Sequence, residues 1–528
     1  MKNVGFGIRV IAGVLLMMLV GVLTTRAEIW STTNGDSNIK GGDAALGHST
    51  LADSLSLTVA KGINPGEIDL DWTGAAAPFQ VHRSAQPAGV VAPANLVART
   101  NAFTYTDTNS PPGGSVFYLV VQEWPLTVNR SGTGGVTRDG VAACDVICPE
   151  TTGYPDGASV TLVARPQNGS GYFFSGWSGA CAGPARTCIV TMSQARSVTA
   201  IFSPIDRNLA FVSSATFATT LGGAQLYDSQ CNSLATAAGI NDVTGNAFVA
   251  WMSDATSNAR ARLGASARGW VRMDGRPFAD TQSDLFSNNV VFHPIRLDEN
   301  GTDPGRQLVL TGANNDSATG NHCNGWTGSG FMTTGNAASG PYGWTLSSSN
   351  TPCAATGRIY CLMKTKSLAL AISPAPGKRI YLSGAFTPDG ATTPNFRCDL
   401  DKPAGAGTVR ALIATPLSAA SSVLTPSQTY VRPDGVVVGT GAQLTAGGLL
   451  TSGIWQTGGG AYIGSLQGVW TGHTSLTGFG TTASTCGNWT STAGSGTTGT
   501  ASSTDTLWWN SASLSCSTAA IRLFCVEQ

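Results

Sequence analysis

Cys323-Asn324-Gly325-Trp326-Thr327 and Cys486-Gly487-Asn488-Trp489-Thr490 are one short stretch met twice, with Asn and Gly exchanged. Each belongs to a quartet of cysteines with a shared rhythm. From Cys231 the steps to Cys323, Cys353 and Cys361 are 92, 30 and 8 residues; from Cys398 to Cys486, Cys516 and Cys525 they are 88, 30 and 9. The neighbourhoods agree as well. Residues 250–263 align without gaps to 411–424, Val271-Arg272-Met273-Asp274-Gly275 matches Val431-Arg432-Pro433-Asp434-Gly435, and Arg358-Ile359-Tyr360-Cys361 matches Arg522-Leu523-Phe524-Cys525. A duplication is the economical reading, with units at 207–364 and 379–528. Four cysteines permit three pairings, and their spacing does not choose among them.

Each unit opens with a short strand. In the first, Leu226, Cys231, Leu234 and Ala238 recur at helical spacing, which predicts a helix over 224–238, and a second short helix is expected within 254–263. The segment around Cys398 is a poorer helix. Gly, Ser, Thr and Asn dominate the remainder, so each unit is expected to be a loop-rich α+β fold. Disulfides contributing ~2–4 kcal/mol each, rather than a large apolar interior, are expected to offset its loop entropy.

Upstream the pattern is all β. Residues 28–55 are polar and turn-rich, expected as a loosely held N-terminal segment. In 56–123, Ile68, Leu70 and Trp72 alternate with acidic residues, the mark of a half-buried strand. Phe79-Gln80-Val81-His82 and Phe117-Tyr118-Leu119-Val120-Val121 add further strands. Residues 125–203 hold another β module with Cys144, Cys148, Cys181 and Cys188. Two local bridges, Cys144–Cys148 and Cys181–Cys188, are expected there, with a crossed pairing as the alternative.

Residues 1–27 carry a basic start, an apolar run at 10–22 and Thr25-Arg26-Ala27, which together predict a cleaved secretory signal peptide. The run falls short of the ~20 residues that a membrane span requires, so no membrane insertion is expected after cleavage. Export permits oxidised cysteines and a secreted or cell-surface location. Thirty basic residues balance thirty acidic ones, which leaves no electrostatic footprint for nucleic acid. Glycine, 66 of 528 residues, lies well above the usual ~7% and suits short strands joined by turns.

Three resemblances follow from these residues. Residues 56–123 resemble a fibronectin type III β-sandwich. Residues 125–203, with Phe174-Ser175-Gly176-Trp177-Ser178-Gly179 and the closing strand Ser197-Val198-Thr199-Ala200-Ile201-Phe202, resemble the bacterial repeat related to internalin B-repeats, a small β-grasp-like module. The paired units resemble the endostatin-like branch of the C-type lectin fold, through the helix cysteine, the cysteine before Trp-Thr and the terminal Arg-x-aromatic-Cys strand. The fold expected is therefore multidomain, a β-sandwich, a β-grasp-like module and two α+β C-type-lectin-like domains. The last resemblance implies nested bridges, Cys231–Cys361 around Cys323–Cys353 and Cys398–Cys525 around Cys486–Cys516.

Lectins of this fold bind sugar through calcium held by six to eight oxygens, but the usual Glu-Pro-Asn or Gln-Pro-Asp tripeptide is absent. Asp298, Glu299 and Asp303 form the one oxygen-rich cluster, weak candidates for calcium that a solvated turn explains more easily. No other cofactor is expected. Trp326 and Trp489, each beside a cysteine, are expected to pack in the core, with a sugar-stacking platform as the functional alternative. Trp508-Trp509 in a Ser/Thr-rich stretch are harder to bury together, and an exposed tryptophan there would be a binding residue. The five histidines are scattered and no His-Glu-x-x-His, Gly-x-Ser-x-Gly or phosphate loop occurs, so no catalytic residues are assigned and no enzyme is expected. The function expected is recognition or adhesion toward an extracellular protein or glycan. A structural envelope component and an accessory to a carbohydrate-active enzyme are the alternatives.

Overall fold

The computed structural model describes residues 30–33 and 55–528, except 65, 87, 89, 111–114 and 315–318. The signal-peptide expectation lies outside the described residues. Within the N-terminal segment expected to be loosely held, Trp30–Thr33 is a strand paired antiparallel with residues 115–118.

The strand Ser115–Ser131 organises the upstream half. Its first part pairs with Phe79–Ser84, and its second part pairs with Glu150–Pro155 and, in parallel, with Arg196–Pro204. One seven-stranded sheet therefore runs through both upstream modules. Where the sequence pattern suggested a boundary near residue 124, the backbone ladder is unbroken. The first module is closed by the facing sheet of Ser56–Lys61, Ile68–Thr73 and Thr104–Asp107, whose inward Leu57, Leu70 and Trp72 pack on Phe79, Val81 and Tyr118. The second is closed by Thr187–Thr191, Ser159–Arg165, Gly135–Arg138 and Val141–Ala143 around Phe174 and Trp177, which meet edge to face at 5.1 Å. No helix occurs between 125 and 206, so strands close this core on both sides.

The two downstream units share one topology. In each, a central strand (Asn208–Val212 or Lys378–Leu382) pairs with the C-terminal strand of its unit (Tyr360–Met363 or Arg522–Glu527), which carries the last cysteine. The helix Leu226–Ala237 carries Cys231, and the shorter Pro394–Leu400 carries Cys398. All twelve cysteines lie in six bridges: Cys144–Cys148, Cys181–Cys188, Cys231–Cys361, Cys323–Cys353, Cys398–Cys525 and Cys486–Cys516. In each unit one bridge clips the helix to the last strand and the other pins the Cys-x-x-Trp turn.

The expectation of a small apolar interior is corrected. One hydrophobic core runs through both units, joining Trp251, Trp270 and Trp344 to Trp455, Trp508 and Trp509, all buried. The units meet along equivalent segments. Ser339 bridges Ser503, its own counterpart, and Thr504 N donates to Ala338 O at 2.9 Å. Trp455 Nε1 donates to Val291 O at 2.8 Å, and Arg296 donates to Leu450 O at 2.9 Å. Such a seam is isologous, like a two-fold dimer built within one chain. Gly340 lets the indole of Trp455 approach, since a Cβ there would lie 2.4 Å from the ring.

Candidate functional site

The repeated Cys-x-x-Trp stretch is a left-handed turn. Cys323, Asn324, Gly325 and Trp326 have φ of 52°, 50°, 72° and 62°; Cys486, Gly487, Asn488 and Trp489 have 49°, 65°, 58° and 66°. Gly and Asn visit this region most readily, which explains why the two residues exchange places between units without changing the backbone. A side chain caps each turn: His322 Nδ1 accepts from Gly325 N at 2.7 Å, and Thr485 Oγ1 accepts from Asn488 N at 3.1 Å. The turn drives its tryptophan inward. Trp326 Nε1 donates to Ser253 O and Trp489 Nε1 to Ala414 O, both at 3.0 Å.

Trp326 and Trp489 pack in the core as expected, so the stacking-platform alternative fails for them, and the expectation of an exposed tryptophan at Trp508-Trp509 is corrected. Trp326, Trp489, Trp508 and Trp509 are all buried and offer no open ring face. Trp509 is buried because of an exchange of bulk between the units. In the first, Trp251 donates to Thr345 Oγ1 at 2.9 Å. The equivalent pair in the second is Leu412 and Trp509, so the large ring enters from the opposite partner. Nothing in the local Ser/Thr-rich composition carried that signal.

The acidic turn is structural too. Asp298 accepts from the backbone N–H of Asn300 and Thr302, both at 2.9 Å. Glu299 accepts from Ser214 N at 2.9 Å and from the Ser214 hydroxyl. Asp303 pairs with Arg296 at 2.6 Å. Burial raises the carboxyl pKa values of Asp298 and Glu299, the opposite of what a calcium ligand needs. Asn300 faces the upstream module, accepting from Arg186 N at 2.9 Å. Among the described residues no group of three or more His, Cys, Asp or Glu could hold a metal ion.

A second difference between the units opens space at the surface. In the first, the space between the helix and the left-handed turn is filled. Asp254 accepts from Ala224 N at 2.9 Å and from Thr256 and Ser257. Burial opposes its ionisation, but these hydrogen bonds outweigh it and hold its pKa at about 2. Buried Arg262 donates to Met252 O, to Ala224 O and to Asp228. In the gap-free alignment Asp254 becomes Thr415 and Arg262 becomes Val423, while Asn395 keeps the role of Asp228, accepting from Ala411 N at 2.9 Å. Losing both filling side chains opens a groove of about 470 Å³, within the range of small-ligand sites. Its walls are Thr393 and Asn395 from the helix start, Thr415 and Ser418 from the following turn, and Asn488 and Thr490 from the left-handed turn. Ile413, Val423 and the Trp489 edge supply apolar surface, and Arg410 stands at its side.

Residues 125–206 match the family model of the divergent InlB B-repeat domain. No curated protein matches the chain. A bacterial surface repeat within a β-rich multidomain chain fits a bacterial surface protein of the adhesion type. The six disulfides are compatible with an extracellular or cell-surface location. Among the described residues no helix is long and apolar enough to cross a membrane.

Proposed function

We propose that this chain is an exported recognition protein that binds an extracellular glycan or protein through its C-terminal pair of units, without turning the ligand over. The upstream sandwich, similar to a fibronectin type III module, and the surface repeat serve as a spacer. The downstream units, similar to the endostatin-like C-type lectin branch, serve as the binding head. The observation that carries this reading is the shared core and isologous seam of the two units, which form a rigid head that displays the open groove of the second unit. Rigid support lowers the ordering cost of binding. The roles of these side chains agree with binding rather than turnover: half-buried His322 caps a turn, buried His293 contacts Pro277 O at 2.9 Å, and exposed Asp303 pairs with Arg296.

The test is saturable binding by the full chain on a glycan array and on a panel of immobilised extracellular proteins. Binding on either supports the reading. Silence on both, with the chain firmly held in the envelope fraction, overturns it in favour of a structural component.

A further inference from the structure

The open groove of the second unit has a chemistry of its own, and the inference here rests on the recognition reading above. Among the described residues the only charged one lining it is Arg410, exposed on the strand Val409–Ala411. Its guanidinium has no ion pair or hydrogen bond among the described residues. At the equivalent position the first unit has Val249, buried in the same strand position. The second unit has thus lost two filling side chains, Arg262 and Asp254, and gained an unpaired arginine beside the space left behind.

The remaining walls carry neutral hydroxyls and amides. Several of these hydroxyls are already held by their own turns: Thr415 Oγ1 contacts Ser418 Oγ at 2.9 Å, Ser422 donates to Ala419 O at 2.7 Å, and Thr490 donates to Gly487 O at 2.7 Å. A hydroxyl that donates inward keeps lone pairs to accept from a ligand, and it is fixed in place before the ligand arrives. Among the described residues no carboxylate lines the groove, so a cation finds no partner among them. One guanidinium is too little for a polyphosphate. An extended peptide would need free backbone groups to pair with, yet the wall backbone is turned on itself, with Thr415 N bonded to Ser418 O and Leu424 N to Ser421 O.

We propose that this groove binds an acidic carbohydrate, its hydroxyls meeting the Ser, Thr and Asn walls and its carboxylate meeting Arg410. Arginine matches a carboxylate with two parallel N–H donors. The apolar surface of Ile413, Val423 and the Trp489 edge faces the C–H groups of the sugar ring. The first unit binds no such ligand because Arg262 and Asp254 occupy the equivalent space.

The experiment uses the full chain on an array of uronate- and sialate-containing oligosaccharides, their carboxyl-reduced counterparts, and Glu-rich peptides of equal charge. Wild type is expected to bind an acidic oligosaccharide saturably and to bind its reduced form at least about tenfold more weakly. Arg410→Ala, a surface change, is expected to lose the same factor, and Arg410→Lys less. Thr415→Asp with Val423→Arg restores the two filling side chains of the first unit and is expected to abolish binding while the chain still unfolds in a cooperative thermal transition. Acidic-glycan binding that is indifferent to all of these variants overturns the groove assignment and leaves the recognition reading standing. Preference for the Glu-rich peptides overturns the carbohydrate class. Silence here and on the protein panel overturns both.

Discussion

At residue scale, the conformation of two short turns explains a sequence puzzle. Four successive residues with positive φ are costly for side-chain-bearing residues, ~1–2 kcal/mol each, and the chain meets that cost with a cap, a disulfide and a buried indole hydrogen bond. Gly325 has open space around the position of its missing Cβ, so only backbone preference restricts it. Gly325→Ala is expected to destabilise the first unit by about 1–2 kcal/mol, whereas Gly325→Asn, copying Asn488, should cost well under half of that. Urea midpoints of the two variants check the difference. A second residue-scale expectation concerns His293. Burial, reinforced by Arg272, lowers its pKa to about 3, while the unfolded chain has an ordinary imidazole near 6.5. The unfolded state therefore takes up the proton first, and the stability present above pH 6.5 falls by up to ~1.4 kcal/mol per pH unit below it. His82, also lowered chiefly by burial, adds to the slope in the first module. His293→Gln should flatten the dependence of the downstream units between pH 6.5 and 5, followed by denaturation at each pH. An unchanged slope would contradict this assignment.

At the scale of elements, helical periodicity was a sound guide where it was strong. The helix expected over 224–238 is found at Leu226–Ala237, whereas the expected 254–263 shrinks to Ala259–Arg262. That segment opens instead with a turn around Asp254, whose carboxylate accepts from Thr256 N and Ser257 N. Side-chain capping of this kind competes with helix formation. The strand alternation at Ile68–Thr73 held along its length, because one face meets a core and the other meets water. The exchange of bulk between Trp251/Thr345 and Leu412/Trp509 invites a double-mutant cycle. Leu412→Trp should overpack the core by about 1–3 kcal/mol, and Trp509→Thr should leave a cavity costing about 3–5 kcal/mol. The double variant, recreating the first unit's arrangement, should be more stable than Trp509→Thr alone. Thermal unfolding of the three variants measures it, and strict additivity would show that the two side chains do not share one space.

At the scale of the molecule, the downstream units behave as one body through their common core. Arg296 ties Asp303 to Leu450 O and Thr504 Oγ1 across the seam. Arg296→Ala removes the donors to Leu450 O and Thr504 Oγ1 across the seam and is expected to cost about 1–3 kcal/mol. Calorimetry should show the single downstream transition of wild type lowered in temperature, and an unchanged transition would remove this contact from the seam. The upstream half is joined just as firmly through the unbroken strand Ser115–Ser131. The two upstream modules therefore form a continuous β scaffold rather than beads separated by a linker.

The duplication, its cysteine quartets and the β character of the upstream half were legible in the chain itself, because periodicity and spacing are local quantities. The same is true of the surface repeat, whose Phe-x-Gly-Trp-Ser-Gly stretch is a continuous signal. Burial of Trp508 and Trp509, the common core and the open groove were decided only in three dimensions. Each depends on which distant side chain occupies a given volume: Leu412 leaves room for Trp509, and Arg262 with Asp254 fills what Val423 with Thr415 leaves empty. Composition counts such residues without saying what they face, and packing, which is non-local, settles whether a space is filled or free.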